Sequence, residues 1–271
     1  MSLRVIILGA GYAGVEAALT LHKKKKKGED FEICLIDKNP YHTLLTELHE
    51  VAGNRIEEDG IIVPLYDIFR YTGVRIIQDD IRSFDLEHKK IRSERCEYAY
   101  DYLILAAGSN PNFYDIPGMK ENSFPLWSFD DAVRVRNHIR DCFLKAAQEE
   151  DPLARRLLLT FVVGGGGFTG IEMIGELALW VKLLCREYDI RRSDVRLVVV
   201  EALPDILSTL KKKNRDKVAR YLRSRLKVEV LTGMAITRLD GCNLQLKDGQ
   251  SILASTVIWT AGVKACDITA A

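Results

Sequence analysis

Leu8-Gly9-Ala10-Gly11-Tyr12-Ala13-Gly14 decides how this chain is built. It follows an apolar run, Val5-Ile6-Ile7-Leu8, that reads as a buried strand. It opens an amphipathic stretch, from Tyr12 to about Lys27, that reads as a helix. A strand, a tight glycine turn and a helix N-terminus together make a site for an anion. Gly9 permits the turn, Gly11 lets a pyrophosphate approach the backbone, and Gly14 lets the helix sit close on the strand. A second apolar run, Phe31-Glu32-Ile33-Cys34-Leu35-Ile36, ends at Asp37. The spacing from Gly14 is 37 − 14 = 23 residues, close to the ~20 expected for a carboxylate that takes a ribose hydroxyl.

The chain then repeats itself. Leu157–Val163 is a second apolar run and leads into Gly164-Gly165-Gly166-Gly167-Phe168-Thr169-Gly170, where Gly165, Gly167 and Gly170 satisfy the same fingerprint. A helical stretch runs from Ile171 to about Tyr188, and Val195-Arg196-Leu197-Val198-Val199-Val200 ends at Glu201. Each half closes alike: Tyr102-Leu103-Ile104-Leu105-Ala106-Ala107-Gly108 matches Thr256-Val257-Ile258-Trp259-Thr260-Ala261-Gly262. The offsets are 165 − 9 = 156, 201 − 37 = 164 and 262 − 108 = 154. Three landmarks in one order at nearly one offset indicate two dinucleotide-binding folds in tandem. Short strand signals lie between each acid and its closing strand: Val74–Gln78, Ile81–Asp85 and Lys90–Ser93, then Val228–Leu231, Ile236–Leu239 and Leu244–Leu246. They predict a small antiparallel sheet laid on each parallel sheet. Asn110-Pro111 reads as a domain junction. Ser128-Phe129-Asp130-Asp131 fits a capping box that starts a helix with Val135, Ile139, Cys142, Phe143 and Ala146 on one apolar face.

Composition sets the remaining bounds. Hydrophobic content of 47%, charged content of 28% and a net charge of +1 are ordinary for a globular protein and offer no argument for nucleic acid. The run Lys23–Lys27 reads as a solvated helix end, where cations suit the dipole, with contact to an anionic membrane surface as the alternative. No apolar run is long enough for a spanning helix, and the N-terminal strand is not a leader. The six cysteines show no close pair, which predicts buried, inert thiols, and no metal-binding pattern stands out. The acid after each second strand suits a ribose diol. Glu201 would repel a 2′-phosphate and Ala202-Leu203-Pro204 brings no arginine, which favours NADH over NADPH unless Arg191 or Arg192 folds back.

The paired fingerprints and the similar strand ends resemble the flavoprotein pyridine nucleotide-disulfide oxidoreductase superfamily, in which a first fold holds FAD and a second, inserted, fold holds NAD(P)H. More narrowly, Asn39-Pro40-Tyr41-His42-Thr43, Glu47-Leu48-His49-Glu50-Val51-Ala52-Gly53, Gly166-Gly167-Phe168-Thr169-Gly170-Ile171-Glu172 and Trp259-Thr260-Ala261-Gly262-Val263 resemble type II NADH dehydrogenases, the single-subunit NADH:quinone oxidoreductases. The fold this implies is α/β: two tandem Rossmann-like three-layer folds, the second inserted in the first. The FAD part spans 1–112, the NADH domain 113–264, and 265–271 begins the return to the FAD domain.

The resemblance implies FAD against Gly9, Gly11, Tyr12, Ala13 and Gly14, with Asp37 and Lys38 at the adenosine ribose. Asp37 stands where the family more often has Glu, so water would bridge its shorter reach. Ile81 would meet the adenine through its backbone, Ala107 and Gly108 would line the cofactor, and Thr46 would approach the isoalloxazine. NADH would lie against Gly165, Gly167, Phe168, Thr169, Gly170, Glu201, Ala261 and Gly262. Glu172, read in the first turn of its helix, would reach the nicotinamide as the catalytic residue, or else complement the helix dipole; Glu176, one turn on, reads as structural. His42 and His49 read as hydrogen-bonded structural residues. The segment Tyr41–Glu47 carries no thiol, so no dithiol relay serves the flavin side.

The implied activity passes a hydride from NADH to FAD and electrons on to a quinone or other small acceptor. The implied place is cytoplasmic, at the inner face of the cell membrane. In the family a further strand, a Gly-Asp segment and an amphipathic membrane anchor follow the point where this sequence stops. The expectation is therefore a complete NADH fold and a FAD fold lacking its last strand. Peripheral membrane association through that further segment, and a homodimer, stay open. So do two rival readings: a sulfide:quinone or ferredoxin/rubredoxin-type reductase, and a non-catalytic NAD(H)-binding redox sensor.

Overall fold

The structure, a computed structural model, describes residues 2–26 and 28–269. Lys27, the last lysine of the basic run, and Ala270 and Ala271, the end of the expected return, lie outside the described residues. The chain divides into two compact units: Met1–Leu44, Ile62–Asn110 and Lys264–Ala271 form one, and Leu45–Ile61 and Pro111–Val263 form the other.

In the first unit, β1 (Leu3–Leu8) leads through the glycine turn to α1 (Tyr12–Lys24) and β2 (Phe31–Asp37). Later come β3 (Val74–Gln78), β4 (Ile81–Asp85), β5 (Lys90–Ser93), β6 (Glu97–Ala99) and β7 (Tyr102–Leu105). The parallel sheet has the order β3-β2-β1-β7. Side chains alternate across a strand, so the apolar runs cover both faces. Ile7, Ile33 and Leu35 pack under α1 with Leu65 and Phe69. Ile6, Leu8, Cys34 and Ile36 pack under Ile81 and Ile91 of the antiparallel sheet β4-β5-β6. The helix stops at Lys24, short of the expected Lys27, because Lys25 turns to extended backbone and its Nζ donates to the Phe31 carbonyl at 2.5 Å.

In the second unit, α2 (Leu48–Ala52) precedes β8 (Phe124–Pro125), α3 (Phe129–Gln148), β9 (Thr160–Gly164), α4 (Phe168–Glu187) and β10 (Arg196–Glu201). Then follow α5 (Lys212–Tyr221), β11 (Val228–Thr232), β12 (Ile236–Asp240), β13 (Asn243–Leu246), β14 (Ser251–Leu253) and β15 (Thr256–Trp259). The parallel sheet has the order β8-β15-β9-β10-β11. One face carries the antiparallel sheet β12-β13-β14, with Leu239, Leu244 and Ile252 against Val162, Val198 and Val257. On α3, the apolar face expected from the sequence is buried, and Phe143 stacks on Phe161 of β9 with ring centroids 5.9 Å apart. The capping box forms as expected: Asp131 N donates to Ser128 Oγ at 3.1 Å, and Ser128 N to Asp131 Oδ2 at 3.0 Å.

Three expectations change. Val74–Gln78 and Val228–Thr232 are edge strands of the parallel sheets rather than parts of the small ones, since each pairs in parallel with the strand that ends in the acid. The third strands of the small sheets are β6 and β14, three residues each, too short to show an alternating pattern. Residues 45–61 group with the second unit, not with the expected 1–112. The reason is packing: Leu48, Val51 and Ala52 of α2 are buried, and α2 lies against α3 and α4.

The thiols also depart from expectation. Cys34, Cys142 and Cys185 are buried, but Cys96 and Cys242 are exposed and Cys266 is half-buried. Among the described residues, no helix is long and apolar enough to cross a membrane.

Candidate dinucleotide sites

In the first unit the three fingerprint glycines do three different jobs. Gly9 has φ +104°, and a Cβ there would lie 2.2 Å from the Ala106 carbonyl oxygen. At Gly14 a Cβ would lie 1.8 Å from the Gly9 carbonyl oxygen, so helix and turn could not approach as they do. At Gly11, among the described residues, no heavy atom lies within 4 Å of such a Cβ. Packing therefore explains Gly9 and Gly14 but not Gly11, which stands at the N-cap of α1, where backbone N–H groups and the helix dipole favour an anion.

Asp37 closes this turn. Its Oδ2 accepts from Ala10 N at 2.6 Å and its Oδ1 from Asn39 N at 2.7 Å. A carboxylate offers about four acceptor sites, so capacity for a ribose diol is left. His42 is buried; its Nδ1 donates to the Ala10 carbonyl at 2.8 Å and its ring meets Tyr12 edge-on at 4.8 Å. It is a structural prop of the same turn, as expected. Ala107 Cα lies 3.2 Å from the position of a Gly9 Cβ, and Gly108 has φ +73°. Lys38 lines a polar cavity of about 390 Å³ with Gln78, Asp79 and Arg82, and its carbonyl accepts from Gln78 Nε2 at 3.2 Å. Ile81 is buried in the core.

The second unit repeats this device. Gly165 has φ +116°, and a Cβ there would lie 2.8 Å from Thr260 Oγ1 and 3.0 Å from Ala261 Cα. A Cβ on Gly170 would lie 2.0 Å from the Gly165 carbonyl oxygen. Gly167, among the described residues, has no heavy atom within 4 Å of its Cβ position. Glu201 Oε2 accepts from Gly166 N at 2.6 Å and Oε1 from Leu203 N at 2.7 Å. The two acids thus grip the equivalent residue of each turn at the same 2.6 Å. The shorter Asp37 makes the same contact at the same distance as the longer Glu201. Phe168 and Thr169 open α4 and are exposed. Gly262 has φ +138° and lies under the Tyr114 ring, so a Cβ there would meet the Tyr114 hydroxyl at 2.3 Å.

Glu172 is the fifth residue of α4, beyond the first turn where it was expected. A helix dipole acts mainly within the first turn, so the dipole-complement reading loses its footing. Its side chain is 47% exposed and its Oε2 lies 3.9 Å from His49 Nδ1 on α2. The contact between these helices is built: a Cβ on Gly53 would strike Glu176 Cβ at 2.5 Å, and Arg55 Nη1 bonds Glu176 Oε1 at 2.8 Å. Glu176 is structural, as expected. Thr46 lies in the turn ahead of α2, in the second unit, with its Oγ1 donating to Glu47 Oε1 at 3.2 Å. Glu47, His49 and Glu50 bring their ligand atoms within 4.8 Å of one another, a grouping the sequence reading did not single out.

Arg191 and Arg192 do not fold back toward Glu201. Arg191 pairs with Asp194 at 3.2 Å, and Arg192 donates to the carbonyls of Val195 and Leu226 at 2.8 and 3.1 Å. Both sit where β10 begins, whereas Glu201 ends it, roughly 16 Å further along at ~3.3 Å per residue. Thr260 was also missed. Its hydroxyl donates to the Gly164 carbonyl at 3.0 Å and packs against the Gly165 turn.

The pyridine nucleotide-disulphide oxidoreductase family model matches residues 3–270. The chain belongs to that family. Among its relatives, a type II NADH:quinone oxidoreductase of Staphylococcus haemolyticus is 31% identical over 263 residues, 96% of this chain and 65% of that protein. Its counterpart in Staphylococcus aureus is 31% identical over 266 residues, with the same coverage. The chain thus spans about 65% of the length of the curated relatives it matches. Solved structures share the fold: NDH2 of Plasmodium falciparum in complex with NADH has TM-score 0.89 at 20% identity, covering 99% of this chain and 56% of that one. The sulfide:quinone oxidoreductase of Aquifex aeolicus has TM-score 0.75 at 16% identity, covering 99% and 61%. Two tandem dinucleotide-binding folds are therefore the architecture of this oxidoreductase family member.

Proposed function

We propose that this oxidoreductase holds FAD in its first unit and NADH in its second, and carries electrons from NADH to a quinone. The observation that carries the reading is the pair of glycines that packing does not require, Gly11 and Gly167, each at a helix N-terminus beside a turn held by a carboxylate. The relatives named NADH:quinone oxidoreductase and the fold neighbour solved with NADH support the same assignment. FAD, when bound, supplies the two-electron chemistry that links a hydride donor to a quinone.

The chain's own residues supply binding and selection. The N–H groups beside Gly11 and Gly167 take the pyrophosphates. The remaining lone pairs of Asp37 and Glu201 take the ribose diols, and the charge of Glu201 repels a 2′-phosphate. Glu172, exposed on α4, orients the nicotinamide. Cys142 is buried and its thiol is pushed up by that burial, which counts against a sulfide:quinone reading that would use it. Work at the inner face of the cell membrane, where a quinone resides, belongs to the same proposal.

The test is an anaerobic visible spectrum before and after NADH. A flavin band that NADH bleaches is expected, with NADPH slower. A colourless protein that binds neither nucleotide refutes the reading. The variant Glu172→Gln should slow flavin reduction at unchanged flavin content; an unchanged rate removes Glu172 from the nicotinamide.

A further inference from the structure

The stretch Lys211 to Lys227 carries nine lysines and arginines against one acid, Asp216. The chain's net charge is +1, so these residues contribute +8 and all others sum to 1 − 8 = −7. The stretch forms α5 and, beyond Tyr221, a wider π turn over Leu222–Leu226. Leu222 and Leu226 are buried and fasten this element to the second unit. The outer face is cationic and exposed, including Lys211, Lys212, Lys213 and Lys217. Among the described residues, only part of the charge is answered within the fold: Arg215 pairs with Asp205 at 3.1 Å, and Arg223 donates to the Val230 carbonyl at 3.2 Å. Three of the lysines stand at the start of α5, the end where the helix dipole disfavours cations. Neither packing nor helix stability accounts for them.

We propose that the outer face of α5 docks on an anionic phospholipid surface. Charge complementarity supplies the attraction, since juxtaposed lysines and arginines are drawn to an acidic leaflet. Tyr221, 54% exposed beside Lys217 and Arg225, adds an aromatic of the kind that settles at a headgroup layer. A single-stranded nucleic acid fits less well, because such sites stack successive bases on several aromatics and this face offers one. The surface belongs to the second unit itself. It is also independent of which acceptor takes the electrons.

The test is sedimentation of the full chain with phosphatidylcholine vesicles, with and without phosphatidylglycerol, at ~0.1 M salt, where screening is moderate. Binding is expected only with phosphatidylglycerol and should be lost in high salt. Replacing Lys211, Lys212, Lys213 and Lys217 together by Gln should lower the partition about fivefold per cation, several hundredfold in all. Gln is a good helix former, so an unchanged thermal midpoint verifies that the variant is folded. Replacing Lys23 and Lys24 by Gln should leave the partition unchanged. Equal binding to neutral vesicles, or equal binding of the parent and the quadruple variant, overturns the proposal. Tight binding to an oligonucleotide with none to vesicles overturns it in favour of a nucleic-acid surface.

Discussion

Replacing Gly167 and Gly170 in turn by Ala separates a glycine kept for a ligand from one kept for packing. The added methyl at Gly170 would sit 2.0 Å from the Gly165 carbonyl oxygen, which is backbone and cannot swing aside. Overpacking of this kind costs about 1–3 kcal/mol. At ~2–4 °C per kcal/mol for a domain of this size, the midpoint should fall by roughly 2–12 °C. The same methyl at Gly167 enters open space, and the backbone there is extended with φ −74° and ψ −173°, which alanine adopts freely. Gly→Ala at such a site stabilises by about 0.4–1 kcal/mol, so the midpoint should hold or rise slightly. Binding should respond the other way. On the proposed reading, the Gly167 methyl would occupy the approach of a pyrophosphate. Losing one charge-assisted hydrogen bond costs about 1.5–3 kcal/mol, roughly a 10- to 150-fold weaker Kd for NADH. Thermal unfolding without ligand and an NADH fluorescence titration read the two quantities separately. Wild-type affinity in Gly167→Ala refutes the assignment of the cradle, and wild-type stability in Gly170→Ala refutes the close-approach argument. The first unit offers an independent copy in Gly11 and Gly14, read through flavin content.

Three further predictions follow from the same geometry. Glu201→Ala leaves the Gly166 and Leu203 N–H groups without their acceptor and should cost about 1–3 kcal/mol; an unchanged unfolding midpoint in the absence of nucleotide excludes the clamping role. Alkylation of the native protein at mildly alkaline pH should label Cys96 and Cys242 rapidly and spare Cys34, whose thiol burial pushes up to about 11; peptide mass mapping that finds Cys34 labelled as fast as Cys96 contradicts this. Burial holds His138 below its ordinary value of 6.5. The unfolded chain therefore takes up that proton first, and stability should be lost as pH falls below 6.5, less steeply in His138→Gln; identical acid-side slopes in denaturant titrations would dismiss this histidine as a contributor.

The glycine turns, their acids and the tandem repeat were legible in the sequence because each obeys a local rule. A glycine that must escape a neighbouring carbonyl, and an acid that must reach one backbone N–H, recur at fixed spacing whatever the rest of the chain does. The small sheets were legible only in part. Val74–Gln78 and β4 carry similar apolar patterns, and only pairing partners tell an edge of the parallel sheet from a strand laid across it. The contact of Arg55 with Glu176 spans 121 residues of sequence. Nothing in the composition of either segment announces it, and with it went the membership of residues 45–61. Thr260 was passed over because a threonine at the end of a strand gains its role only from the register of β15 against β9.

The placement of α2 also has a consequence in time. Its apolar residues Leu48, Val51 and Ala52 find their cover on α3 and α4, and α4 ends at Glu187. From Ala52 to Glu187 the ribosome must add 187 − 52 = 135 residues. At about 5–20 residues per second this takes roughly 7–27 s. For part of that interval a nascent chain that has already made β1, β2, β3 and β7 by Leu105 carries an apolar helix without its full cover. The order of synthesis thus makes the second unit wait for the chain to return to a segment made long before.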